Sequence, residues 1–192
     1  FERGNLDIAV DLLSRCVTDV PSFARARRFL RIVEIQRVKK AGKKGLLRQA
    51  ADLAGIPTLL LGKTLLKPGK GDKALAAAEK LMAINPLNPS FLDFFVKAAR
   101  VADQMDAAVQ TMELAVEAEP DNIVLVRALG DVYSATGNYA QARDAYEKVV
   151  KARPHDAETA RLLKEADAQT SMQSGGWEDQ EGKQGGYREM IK

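Results

Sequence analysis

Residues 126–133 read Val126-Arg127-Ala128-Leu129-Gly130-Asp131-Val132-Tyr133, followed by Gly137-Asn138-Tyr139 and then Ala142-Arg143-Asp144-Ala145-Tyr146, and the stretch closes at Pro154. The same punctuation recurs upstream at one fixed step. Prolines stand at Pro86, Pro120 and Pro154, alanines at Ala74, Ala108 and Ala142, and Gly62, Val96 and Gly130 hold a third column. The constant step, about 34 residues in every column, marks a stacked repeat. Apolar spacings of three and four within each unit are those of helices.

Each residue type in the unit has a mechanical reason. Gly130 and Ala142 are small, as needed where two antiparallel helices cross at about 8 to 10 Å. Tyr133 and Tyr146 fill the space around that crossing. Gly137-Asn138 tolerates the left-handed backbone that ends a first helix, and Pro154 stops the second from running on. This unit resembles the tetratricopeptide repeat, whose pattern is W-x-x-L-G-x-x-Y, A-x-x-x-F and P over about 34 residues. Val126 stands for the tryptophan here and Tyr146 for the phenylalanine. The resemblance implies an all-α fold, a superhelix of antiparallel helix pairs whose first helices line a concave groove.

Working outward, the clear units span 55–88, 89–122 and 123–156. The first keeps Leu61-Gly62, Leu65, Ala74, Ala78 and Leu81, broken in the middle by Pro68-Gly69-Lys70-Gly71-Asp72. The second keeps Leu92, Phe95, Ala99, Ala108, Met112 and Ala115, with Asp103-Gln104-Met105 at its turn. Near the start, Gly4-Asn5-Leu6 with Ala9, Leu13, Cys16 and Pro21 reproduces the columns of a second helix. The chain, opening at Phe1 rather than methionine, is therefore expected to begin inside a longer protein. Residues 22–54 read as a degenerate repeat with a basic insertion: a first helix over 22–39, with Phe29, Leu30, Ile32, Val33 and Val38 available for burial, then an atypical helix or loop over 40–54. The spacing requires that irregularity, because the step from Pro21 to Pro86 falls short of two full periods. Asp156 is placed to cap a last helix over 156–170 that turns Ala160, Leu163 and Ala166 inward. Residues 171–192 read as a glycine-rich linker and a truncated further element.

Composition narrows the function. With 192 residues, 46% of them hydrophobic and 29% charged, the chain can bury a core. No apolar run approaches the roughly 20 residues of a membrane span, 58–61 being among the longest. The single cysteine, Cys16, leaves folding to packing, as in a reducing compartment such as the cytoplasm. One histidine and one cysteine supply neither a nucleophile with its base nor a zinc site, so no catalytic residue, metal or cofactor is expected. His155 begins a helix just after Pro154. Gly62-Lys63-Thr64 imitates the end of a phosphate-binding loop, yet Pro57 replaces the glycine that loop needs. Glu113, Glu117 and Glu119 lie among alternating charges and read as solvent-facing.

By position in the repeat, Lys63, Leu66, Asp93, Lys97, Arg100, Arg127, Asp131 and Ser134 are the groove candidates, and the cations among them suit an acidic or C-terminal peptide of a partner protein. Chaperone-binding members of the family place lysine and asparagine where Leu59 and Lys63 stand, so that clamp is absent. Phe91, Leu92, Phe94 and Phe95 cannot all face one way on a helix. Phe91 or Phe94 is thus a candidate exposed anchor, with packing against a neighbouring repeat as the alternative. A second class of partner follows from charge. Residues 21–54 hold ten basic against two acidic groups, +8 in a chain of net +3. Arg25, Arg28, Arg31, Arg37, Lys39, Lys40, Lys43 and Lys44 recur near helical spacing and could neutralise phosphates of nucleic acid or anionic lipid. The aromatic interleaving of a base-stacking platform is not expected among them.

Overall fold

The computed structural model describes residues 5–20, 23–40 and 45–174. Among these, helices follow one another with no strand: α1 (Leu6–Asp19), α2 (Ala24–Lys40), α3 (Gly45–Lys63), α4 (Gly71–Ile84), α5 (Pro89–Val101), α6 (Met105–Ala118), α7 (Ile123–Ala135), α8 (Tyr139–Ala152) and α9 (Ala157–Ser174). The architecture is an all-α solenoid of helical repeats. Pairs α3/α4, α5/α6 and α7/α8 stack in order, and α9 lies on α8 where the next first helix belongs. α3 is longer than α5 or α7, because the residues from Gly45 onward, ahead of the first clear unit, extend it at its N-terminal end.

Local chemistry sets the helix ends. Asn88 accepts hydrogen bonds from the backbone N–H groups of Ser90 and Phe91, with Pro89 at the first helical position. Asn122 accepts from Leu125 N, and Asp156 from Thr159 N at 3.0 Å. The turns inside the three pairs share a column that the amino-acid types alone conceal. Gly69, Asp103 and Gly137 stand one period apart and have φ of 78°, 54° and 75°. The middle unit thus adopts the left-handed turn without the glycine that makes it easy.

The crossing of α7 and α8 is as tight as the small residues require. A Cβ on Gly130 would lie 2.6 Å from the Tyr146 ring, and one on Gly62 would lie 2.5 Å from the ring of Phe94. Phe91, Leu92, Phe94 and Phe95 are all buried, so the exposed aromatic anchor expected at Phe91 or Phe94 is corrected. Phe94 is 0% exposed because its ring fills the notch over Gly62, while Phe91 fills the one over Gly55. One continuous core runs from Ile35 and Leu59 through α4, α5 and α6 to Val132.

The N-terminal hairpin departs from the stack. α2 packs on α1, and its other neighbours are α6 and α4, the second helices of two successive pairs. Leu30 and Val33 are buried there, but Phe29, expected inside, is exposed. Adding one methyl at the α7/α8 crossing tests the packing: Gly130→Ala is expected to cost about 1–3 kcal/mol through overpacking and to lower the melting temperature by several degrees. An unchanged melting curve would show that the ring of Tyr146 is not held against Gly130.

Candidate functional site: the inner wall and the basic helix

The first helices α3, α5 and α7 touch in succession and form one wall of the solenoid. Its outward columns recur with the repeat: Lys63, Lys97 and Asp131; Leu66, Arg100 and Ser134; and, beside buried Leu59, Asp93 and Arg127. These side chains are not equally available. Lys97 Nζ sits 2.7 Å from Asp93 on the preceding turn of α5, an exposed pair. Arg127 reaches across to Glu158 of α9 at 3.0 Å, while its Nε is buried without a partner. Asp131 accepts a hydrogen bond from Tyr146 Oη at 2.9 Å, and partial burial raises its pKa above the ordinary aspartate value despite that bond and nearby Arg127. Lys63 and Arg100 are exposed and pair with no carboxylate among the described residues. A cleft of about 530 Å³ opens at the α3 end of this wall, lined by Leu53, Ile56, Leu59 and Phe91.

The basic stretch is largely structural where it meets the stack. Arg31 is 1% exposed and Glu34 0%, so Arg31 is corrected from a surface phosphate contact to a buried ion-pair residue. Arg31 donates to Glu34 and, at 2.7 Å, to Glu79 of α4, and its guanidinium lies 5.2 Å from the centroid of Phe95. Arg27, also buried, donates to Glu79 at 2.9 Å and to Gln104 at 3.0 Å. Half-buried Arg37 donates to the carbonyl of Ala83 and stands 3.5 Å from Asp7, which turns it from the expected patch toward the α1/α4 side. Arg25, Arg28, Lys39 and Lys40 are exposed, and Lys43 and Lys44 lie outside the described residues. Exposed Phe29 stands beside Arg28, and exposed Phe23 two residues before Arg25. Beside Arg27 and Glu79 a cleft of about 480 Å³ separates α1 and α2 from α4, lined by Val17, Leu30, Leu75 and Ala83.

Sequence reading missed this network because an arginine three residues before a glutamate on a helix ordinarily marks a solvated face. The clue lay in Leu30, Val33 and neighbouring charges sharing one side of α2. Glu113 is a second correction: it accepts a hydrogen bond from Tyr133 Oη at 2.8 Å across the α6/α7 junction. Among the described residues no group of three His, Cys, Asp or Glu side chains is placed to hold a metal ion, and no helix is long and apolar enough to cross a membrane.

Residues 99–166, which include the α7/α8 pair with its Gly130 crossing, match the family model of the tetratricopeptide repeat. Over those residues the chain carries the tetratricopeptide repeat. Protein O-mannosyl-transferase TMTC1 of Mus musculus is 33% identical over 97 residues, 48% of this chain but 10% of that protein's length. The Homo sapiens protein of the same name is 30% identical over 110 residues, 55% of this chain and 12% of its own length. The chain therefore matches only about a tenth of the length of those curated relatives. Among solved structures, the first tetratricopeptide domain of human RPAP3 superposes with a TM-score of 0.53 at 20% identity, over 64% of this chain and 97% of that domain. That likeness concerns the fold.

Burial dominates the Glu34 carboxyl, whose pKa is pushed up to about 7 even though Arg31 and Arg37 pull it down; Glu79 adds to the rise. A folded-state value above the unfolded one means the native protein binds the extra proton. The contribution is complete below the unfolded value of 4.5 and is lost as pH rises through about 7. Melting temperatures of the wild type measured from pH 5 to 8 are thus expected to fall with rising pH relative to Glu34→Gln, which has nothing there to titrate. Parallel pH profiles for the two proteins would contradict a buried Glu34 that loses its proton within this range.

Proposed function

We propose that this tetratricopeptide-repeat protein is an interaction scaffold that holds a peptide or partner-protein segment along the wall formed by α3, α5 and α7. The observation that carries the reading is the sorting of the repeat columns. Apolar columns close the core, while Lys63, Lys97 and Arg100 stand exposed on consecutive first helices. Lys97 and Arg100, three residues apart on α5, share one helix face and can converge on a carboxylate. Asp93 and Glu158 already partner Lys97 and Arg127, so a ligand carboxylate competes with two resident ones. That competition favours a ligand with several acidic groups over one with a single charge. Buried Phe94 serves this wall only by packing.

The transferase chemistry in the relatives' names belongs to proteins of which this chain matches about a tenth, and it is not carried over. Contact with nucleic acid or anionic lipid through residues 25–48 has weaker support, because the central arginine of that patch, Arg31, is committed to Glu34 and Glu79.

The test is binding of a labelled acidic peptide to the triple variant Lys97→Ala, Arg100→Ala, Arg127→Ala. Affinity is expected to fall by about tenfold or more, a loss on the order of 1.4 kcal/mol, with helical content unchanged. Full binding by the triple variant would remove the wall from the interaction.

A further inference from the structure

Every later first helix in the stack is covered by the helix before it. α4 packs on α5, α6 on α7 and α8 on α9. Three columns show this cover. On α5 they hold Phe91, Phe95 and Ala98, on α7 Leu125, Leu129 and Val132, and on α9 Thr159, Leu163 and Ala166; all are buried except Leu163, which is half-buried. On α3 and the turn residue just after it the same columns hold Pro57, Leu61 and Thr64, all exposed. Leu61 is 70% exposed, and Leu60 and Leu53 beside it are 60% and 65% exposed. Among the described residues no helix takes the covering place, since α2 has docked on α4 and α6 instead.

We infer that the uncovered face of α3 is a docking site for an acidic amphipathic helix of a partner protein, seated where α4, α6 and α8 sit on their successors. The surface follows from the fold, whose other pair-to-pair junctions are each made by a helix laid antiparallel on the next first helix. The charge of the occupant follows from the sequence. From 41 to 71 the cations are Lys43, Lys44, Arg48, Lys63, Lys67 and Lys70, against one carboxylate, Asp52. Asp52 is itself bound by Asn85 at 2.7 Å. Lys63, Lys67 and Lys70 are exposed at and just beyond the C-terminal end of α3. An antiparallel partner brings its N-terminal turns there, where acidic side chains are favoured both by these lysines and by the partner's own helix dipole. A second copy of this chain fits poorly in either direction. Parallel α3 helices set the three lysines against each other, and antiparallel ones bring them toward the other end of α3, where the sequence is also cationic. The apolar stripe also distinguishes this surface from a phosphate-binding patch, which has no use for three exposed leucines.

The site shares α3 and Lys63 with the proposed wall of α3, α5 and α7 but uses neither Lys97 nor Arg100, so variants at those two residues tell the two surfaces apart. The probe is a labelled synthetic helix of about 18 residues, with leucines at spacings of three and four and glutamates in its first two turns. A matched probe carries lysines in place of those glutamates. The intact chain is expected to bind the acidic probe, and Leu60→Asp with Leu61→Asp to weaken it by about tenfold or more with an unchanged melting curve, since both side chains are already exposed. Lys63→Glu with Lys67→Glu is expected to reverse the preference between probes, whereas Lys97→Ala with Arg100→Ala leaves it as it was. Equal binding of both probes, loss of binding only in the Lys97/Arg100 variant, or no binding at all would overturn the proposal. So would concentration-dependent dimerisation of the wild type that Leu60→Asp with Leu61→Asp abolishes, since the face would then belong to a second copy.

Discussion

A helix pair buries too little by itself to fold. One leucine-sized side chain contributes roughly 1.5 to 3 kcal/mol on burial, and ordering each residue of two helices costs on the order of 1 to 2 kcal/mol. Stability must therefore come from burial shared between pairs, and that sharing is possible only if helices approach closely. Gly130 under Tyr146 and Gly62 under Phe94 are where that closeness is set. The repeat period, the wall of first helices and the open face of α3 all descend from this one requirement.

The N-terminal hairpin meets the same requirement by another route. α2 packs Leu30 and Val33 on α1 and joins the stack through Ile35 together with a polar cluster of buried Arg27, Arg31 and Glu34 and half-buried Glu79 and Gln104. Buried charges contribute little net stability compared with apolar side chains of like volume, but they are costly when mispaired. Glu79 on α4 receives both Arg27 and Arg31, which ties the hairpin to one register on α4. Fixing it there leaves the end of the regular stack uncovered, so the ion pairs of α2 and the exposed leucines of α3 are two sides of one departure from the repeat.

The fold was legible because its constraint is periodic. Columns of small residues and prolines at a fixed step identify helix pairs without any knowledge of their surroundings, and Gly130, Ala142 and Pro154 suffice to set the register. The site was less so. A column tells which way a side chain points, and it does not tell whether a neighbour is present to cover it. Leu61 shares its column with Phe95 and Leu129 and reads as core, yet it is exposed because the covering helix is elsewhere. Phe94 reads as surplus and is buried because the glycine opposite it leaves a ring-sized notch. Arg31 reads as surface because its partner Glu79 lies far along the chain on another helix. In each case the deciding residue or helix lies well away in sequence.

Amide hydrogen exchange resolved by helix measures shared burial most directly, since protection follows the free energy of local opening. The expected result is strongest protection in α5 and α7, each covered on both sides, with α3 exchanging distinctly faster along its exposed Leu53, Leu60 and Leu61 face. Protection of α3 equal to that of α5 in the isolated chain, or uniform exchange across all three pairs, would contradict a stack held together by what each pair buries of the next.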